Sequence, residues 1–480
     1  MKKVITLISI VLCLNASAQI NWTSGNNIST NIYGNMHPRM SLNGAGNPMV
    51  VWGKMADQSV YFSRWNGTMF TSPIKLNPTW MTIATASWMG PDIASKGDTV
   101  YVVVKRTPES SDTNRLFIFT SFNGGVSFKT PVEFAFIADS FSRFPTVEVD
   151  KSGHPIVAFM KFNSSFMDSR WVVVKSTDYG NTFSTDVKAS GWGGSSEVCD
   201  CCPGALVSSG NNTAMLYRNN NSNIRDNWAG ISTNSSASFN NGFAVDKNNW
   251  MVMSCPASGP DGVIIGDTLY STFMSSGTGN YRNYFTKTSL KTGSIGSIKP
   301  LTGAISGLSQ QNFPRIATDG TAMSIVWKQN VNAKAQLPIL FSADIANGFP
   351  ATYDTVDLDN ITNADVAMRN GNIYVVWQDD GSGTVKYRIG SYTKASTGIN
   401  EIASTDFSLY PNPVSSTVTL QSKFELQNAE IKIFNLLSKT VFTQNKISNA
   451  TIDLTELNSG IYFLQVKTNN KLFTQKFIKQ

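Results

Sequence analysis

Gly90-Pro91-Asp92, four residues, then Gly97-Asp98-Thr99-Val100-Tyr101: this phrase decides the fold, because the chain contains it twice. Gly259-Pro260-Asp261 is followed, after the same gap, by Gly266-Asp267-Thr268-Leu269-Tyr270. Looser copies surround the pair. Pro38-Arg39-Met40 leads to Val50-Val51-Trp52, Pro145-Thr146-Val147 to Ile156–Phe159, and Pro203-Gly204-Ala205 to Ala214–Tyr217. Pro314-Arg315-Ile316 leads to Ile325-Val326-Trp327, and Ala364-Asp365-Val366 to Val375-Val376-Trp377. The openings stand at 38, 91, 145, 203, 260, 314 and 364, spaced by 50 to 58 residues. A fixed period of this length marks a repeated supersecondary unit. Each copy reads as a strand, a glycine turn and a second apolar strand.

A second signature follows each of several openings after a third strand. Its fullest copy is Ser176-Thr177-Asp178-Tyr179-Gly180-Asn181-Thr182-Phe183, and Ser121-Phe122-Asn123-Gly124-Gly125-Val126-Ser127-Phe128 repeats it with Asn for Asp. Ser63–Phe70 and Ser232–Phe239 are worn versions. An Asp side chain can bind backbone N–H groups of a tight turn, Gly takes positive φ, and the aromatic packs beneath. The pattern resembles the Asp-box (BNR repeat) of the sialidase superfamily, whose members are β-propellers. Ser176, Asp178, Gly180, Thr182 and Phe183, with Ser121, Asn123, Gly125 and Phe128, are then structural residues. The expectation is an all-β, sialidase-like propeller over 19–393. Its seventh unit lacks a fourth strand, which Ile20–Ser29 could supply, closing the ring without an exposed edge. Seven blades are favoured over the six of true sialidases, and that departure weakens any transfer of sialidase chemistry.

Composition agrees. Hydrophobic residues make up 41% against 15% charged, which excludes a disordered chain, and amphipathic helices are absent. The net charge of +7 is unevenly placed: Lys2 and Lys3 carry two, residues 408–480 carry +4, and +1 remains on the body. A nucleic-acid binder should carry a basic stripe on its working domain, so that class is excluded.

The two ends address the chain. Lys2-Lys3, the apolar run Val4–Leu14 and Ala16-Ser17-Ala18 read as a signal peptide over 1–18. The apolar run is too short to span a bilayer, and no later stretch reads as an integral membrane segment. After a polar linker over 394–407 come Leu409-Tyr410-Pro411-Asn412-Pro413, Gly460-Ile461-Tyr462-Phe463-Leu464 and a Lys-rich end at Lys471–Lys479. This stretch resembles the type A C-terminal sorting domain of the type IX secretion system. The resemblance implies a small β-sandwich over 408–480, with the secretion machinery as its partner. It also implies passage through the periplasm of a Gram-negative bacterium to the cell surface or medium.

Chemistry is expected on the propeller face built from the openings. Cys199-Asp200-Cys201-Cys202-Pro203 enters the fourth unit and Ser254-Cys255-Pro256 the fifth. Four cysteines in an exported protein read as two disulfides, with a bridge from the cluster to Cys255 expected. A four-thiolate metal site is the other possibility, and the C-x-C-C run suits zinc poorly, so no metal is assigned. Beside the cluster lie Tyr217-Arg218 and Arg225-Asp226; with Arg39, Arg143 and Arg315 they are the candidate ligand-binding residues. The sialidase resemblance implies three arginines on a substrate carboxylate and a Tyr nucleophile, and no complete set can be assigned. These arginines could equally pair with loop acids such as Asp226. His37 and His154 stand alone as turn residues. No phosphate loop, His pair or nucleophile elbow occurs, and no cofactor is implied. Two functions stay open: a hydrolase or lyase acting on extracellular glycans, and a non-catalytic surface propeller binding glycan or protein.

Overall fold

The computed structural model describes residues 20–29, 33–110, 115–136, 140–194, 197–358 and 360–394 of a first unit, and 407–422, 426, 429–436, 439–445, 450–467 and 472–480 of a second. The signal peptide, residues 111–114 and most of the expected linker lie outside the described residues.

The first unit contains seven antiparallel sheets, each running outward from the strand that carries an opening. Blade 1, for instance, runs Asn35–Leu42, Pro48–Lys54, Ser59–Arg64, Ile74–Lys75, and blade 4 runs Ala205–Ser209, Asn212–Arg218, Asn227–Ser232, Asn241–Ala244. Blade 7 supplies Ile361–Arg369, Asn372–Asp379 and Thr384–Ser391, and its outer edge is completed by Asn21–Trp22 and Asn26–Asn27 from the start of the chain. Trp22 Nε1 also donates to Asp354 at 2.8 Å. Gly390 is required there: a Cβ would stand 2.4 Å from Ile20. The ring is therefore seven-bladed and closed.

Its core is divided among the gaps between blades. Met49, Val51 and Phe62 of blade 1 pack on Val100, Val102 and Phe119 of blade 2. Corresponding clusters fill every later gap, including the last, where Val376 and Val385 meet Val50 and Trp52. Buried on both faces, the middle strands read as continuous apolar runs rather than alternations.

The turns of the second signature work as local braces. Asp178 Oδ1 accepts from the backbone N–H of Asn181 and Thr182, while Ser176 Oγ accepts from Gly180 N at 2.8 Å. Asn123 and Ser121 repeat this at Ser127 and Gly125, and even the worn copy keeps Ser236 N on Ser232 and Ser238 N on Asn234. Gly125 has φ +78° and a Cβ would meet Phe62 at 2.2 Å. Phe128 and Phe183 pack back onto the preceding blade, against Phe62 and Phe134.

The second unit is a pair of sheets. One joins Phe407–Tyr410, Thr417–Ser422 and Thr451–Asp453; the other joins Thr440–Asn445, Glu430–Asn435, Gly460–Lys467 and Leu472–Lys479. Leu409, Val418, Ile431, Leu464 and Val466 share its core. Asn412 ties the opening Pro-Asn-Pro to the last strand, accepting from Ile478 N and donating to Lys476 O.

Candidate functional site

All seven openings converge on one pocket, lined by His37, Arg39, Trp88, Asp92, Phe144, Arg315 and a collar of prolines. Before the proline in blades 1, 3 and 6 the chain bulges, and His37, Phe144 and Phe313 take φ of 57°, 54° and 49°. Such non-glycine conformations cost of order 1–3 kcal/mol each and are held by their surroundings.

After the proline, or after Ala364 in blade 7, stand, blade by blade, Arg39, Asp92, Thr146, Gly204, Asp261, Arg315 and Asp365. Three aspartates of this ring brace the next blade. Asp92 accepts from Val147 N, Asp261 from Ile316 N, and Asp365 from Met40 N. Arg315 lies between Asp261 (3.4 Å) and Asp365 (3.0 Å). Burial opposes its charge, and the surrounding aspartates more than offset this, so its pKa is raised. Arg39 donates to Pro38 O, and burial followed by the charge of Arg315 lowers it to about 10. Burial, then Arg39 and Arg315, push His37 well below its ordinary value, so it is neutral. Below them, burial lifts Glu148 to about 8. The pocket floor is thus an ion cluster committed largely to itself.

The loop residues on blade 4 are committed as well. Arg218 is 1% exposed; its guanidinium donates to Ser258 O (3.1 Å), Arg225 O (2.7 Å) and Met274 O (2.7 Å), with Trp250 beneath it at 5.2 Å. Arg225 donates to Cys199 Sγ at 3.0 Å. Asp226 accepts from Asn249 N and Trp250 N. Tyr217 is enclosed in the core between blades 3 and 4. Arg218, Arg225 and Asp226 join the loops of blades 4 and 5, Tyr217 packs between blades 3 and 4, and none of the four faces solvent.

Of the four cysteines, Cys201 and Cys255 are bonded, with Cα atoms 6.2 Å apart. Cys199 and Cys202 are buried thiols whose sulfurs stand 3.1 Å apart, a hydrogen-bonding separation rather than the second bridge expected. All four sulfurs lie within 4.8 Å of one another, but two are taken by the disulfide.

An open cleft of about 510 Å³ lies beside that disulfide, between Trp88, Met89, Glu109, Arg143, Phe144 and Ala257. Arg143 grips Glu109 through Nε (3.0 Å) and Nη2 (2.6 Å), with Phe162 and Phe166 flanking its guanidinium at 5.3 and 5.2 Å. Lys105 Nζ donates to the same carboxylate at 2.9 Å. Burial alone would raise Glu109, but Arg143 and Lys105 hold it below the usual carboxylate range. Trp88 and Phe166 leave 43% and 42% of their surface exposed. Of these groups only Arg143 stood out in the sequence. Trp88 lies just before the Gly90-Pro91 opening, and Glu109 follows a second strand; both positions belong to the face the repeat defines.

The fold and its tail define an exported seven-bladed β-propeller carrying a sorting domain. Residues 408–480 match the family model described as "Secretion system C-terminal sorting domain". The protein is therefore directed through the type IX system to the surface or surroundings of a Gram-negative bacterium. No curated protein matches the chain in sequence. Among solved structures it is similar to the Hadza microbial sialidase Hz136 (9% identity, TM-score 0.43, covering 76% of this chain and 68% of that one). It is also similar to the arabinofuranosidase arb93a of Fusarium graminearum, a mutant with an iminosugar inhibitor (11%, 0.47, 77% and 98%). A third is a PL25 ulvan lyase (12%, 0.49, 75% and 93%). Likeness at these values carries no argument about chemistry.

Proposed function

We propose that the protein is an exported surface propeller that binds an extracellular glycan in the cleft at Trp88, Glu109 and Arg143. The observation that carries this reading is the pairing of the exposed Trp88 ring with a rigid Arg143–Glu109 pair in one cleft. A pyranose lays its C–H face on an aromatic ring while planar polar groups hydrogen-bond its hydroxyls. Binding is favoured over sialidase-type hydrolysis for two reasons. Tyr217 and Arg218 have no access to a substrate, and Glu109 is held ionised where an acid catalyst needs a raised pKa.

The test is a glycan array followed by calorimetry on the hits. Trp88→Ala and Arg143→Ala are each expected to weaken binding at least about tenfold, the equivalent of ~1.4 kcal/mol. A wild-type protein that binds no neutral or acidic glycan, or a Trp88→Ala variant that binds unchanged, would overturn the proposal.

A further inference from the structure

The sulfur atoms at the openings of blades 4 and 5 are layered. Cys255 is exposed and Cys201 half-buried, while Cys199 and Cys202 are enclosed behind them. Cys199 Sγ stands 3.6 Å from Cys201 Sγ and 3.1 Å from Cys202 Sγ. Arg225 donates to it at 3.0 Å, and Arg225 is itself set by the Arg218 bond to its carbonyl. An inert structural pair has no need of a guanidinium aimed at one sulfur; a nucleophilic thiolate does.

We propose that the four cysteines form a thiol–disulfide exchange centre in which Cys199 attacks Cys201 and releases Cys255 at the surface. In this step the Cys199–Cys201 bond forms, the Cys201–Cys255 bond breaks, and the electron pair leaves on the Cys255 sulfur. Cys199 enters as thiolate and Cys255 leaves as thiolate, so no proton moves. Cys202 then attacks Cys199, its proton passing to the departing Cys201 sulfur, which lies within 4.8 Å. This forms Cys199–Cys202 and frees Cys201. One disulfide and two thiols are present throughout, so the rearrangement needs neither oxidant nor reductant. Its result is a buried disulfide and a surface dithiol, Cys201 and Cys255. That dithiol is the group an external disulfide can meet: Cys201 and Cys255 close again while the substrate leaves as two thiols. The substrate class is therefore a small-molecule or protein disulfide. The charge environment agrees. The hydrogen bond shared with Cys202, ahead of the charges of Arg218 and Arg225, lowers the Cys199 pKa against the opposing effect of burial, whereas burial raises that of Cys202.

The experiment uses the full-length exported protein, equilibrated in buffers of reduced and oxidised glutathione and quenched with acid. Free thiols are alkylated with a light reagent, disulfides reduced and alkylated with a heavy one, and peptides read by mass spectrometry. The wild type is expected to show a population with Cys199 and Cys202 heavy and Cys201 and Cys255 light. Cys202→Ser should arrest the sequence at Cys199–Cys201 with Cys255 alone light. Arg225→Gln should slow the appearance of label on Cys255 several-fold at a temperature where its melting curve shows the variant folded. If a cysteine variant fails to fold, the wild-type label pattern decides alone. Cys255 that never acquires light label in any buffer would overturn the centre, as would four thiols retained on a stoichiometric metal ion.

Discussion

Arg218 and Arg143 carry the same group and have opposite amounts of it left to offer. The Arg218 guanidinium is shut inside and spent on three backbone carbonyls. Arg218→Ala strands those acceptors and is expected to cost about 3 kcal/mol of stability in urea unfolding, since each unsatisfied buried group costs about 1–3 kcal/mol. Arg143 is half-buried and Glu109 keeps Lys105 as a partner without it, so Arg143→Ala is expected to cost less than Arg218→Ala while glycan binding weakens at least about tenfold. If the two variants were alike in stability, their assigned places would be wrong. Asp246, 1% exposed, gives a pH signature. Burial, with the charge of Asp226 behind it, raises its pKa to about 6. A folded pKa above the unfolded ~3.9 means the proton stabilises the fold: that contribution is full below about pH 4 and lost as pH passes 6. The two-unit gap corresponds to about 3 kcal/mol. Relative to wild type, Asp246→Asn should therefore gain up to that amount between pH 4 and 7 in urea unfolding; a flat difference would refute it. In the sequence, Tyr217-Arg218 read as site residues because they lie beside the cysteine cluster, on the face built from the openings. Between blades both faces of a strand are covered, so Tyr217 and Arg218 are both enclosed, and a place near that face says nothing about solvent.

The openings were readable as elements because proline, the ring aspartates and the following glycine turns are local signals of fixed chemistry. The outermost strands were not. Ile74–Lys75, Val187–Lys188 and Lys299–Pro300 are two residues long, too short for any period to show. The strand at Asn21–Asn27 was legible only through a deficit, the missing fourth strand of the last unit. Removing residues 20–29 from the mature chain should leave Thr384–Ser391 as a bare edge and uncover Trp377 and Val385. We expect a lower, broadened thermal transition with aggregation, and an unchanged transition would show that the ring does not depend on this closure. Asp178→Ala should lower the melting temperature by releasing the turn of blade 3 and leave glycan affinity as it was, because that turn is remote from the cleft lining. A loss of affinity in that variant would place the binding face wrongly.

At the scale of the whole molecule, two units with separate cores serve separate ends: one meets the surroundings, the other gets it there. A chain ending at Lys394 is expected to fold with its full melting temperature and to stay in the periplasm, as read by cell fractionation. Its appearance at the surface in normal amounts would contradict the sorting role of residues 408–480. Those residues were legible because secretion machinery reads short fixed phrases, whereas the cleft is assembled from Trp88 and Glu109 of blade 2 and Arg143 of blade 3, which no local phrase connects. The closing of blade 7 also imposes an order in time. Asn21–Asn27 is made and exported first, and Thr384–Ser391, the strand it pairs with, arrives after nearly all the propeller. Until then the growing array has two unpaired edges, one at each end, and long-range strand pairing of this kind is slow. The first strand must be kept from pairing with a neighbouring chain for as long as the rest takes to cross. A stalled or overcrowded export channel would thus join rings end to end where an unhurried one closes them singly.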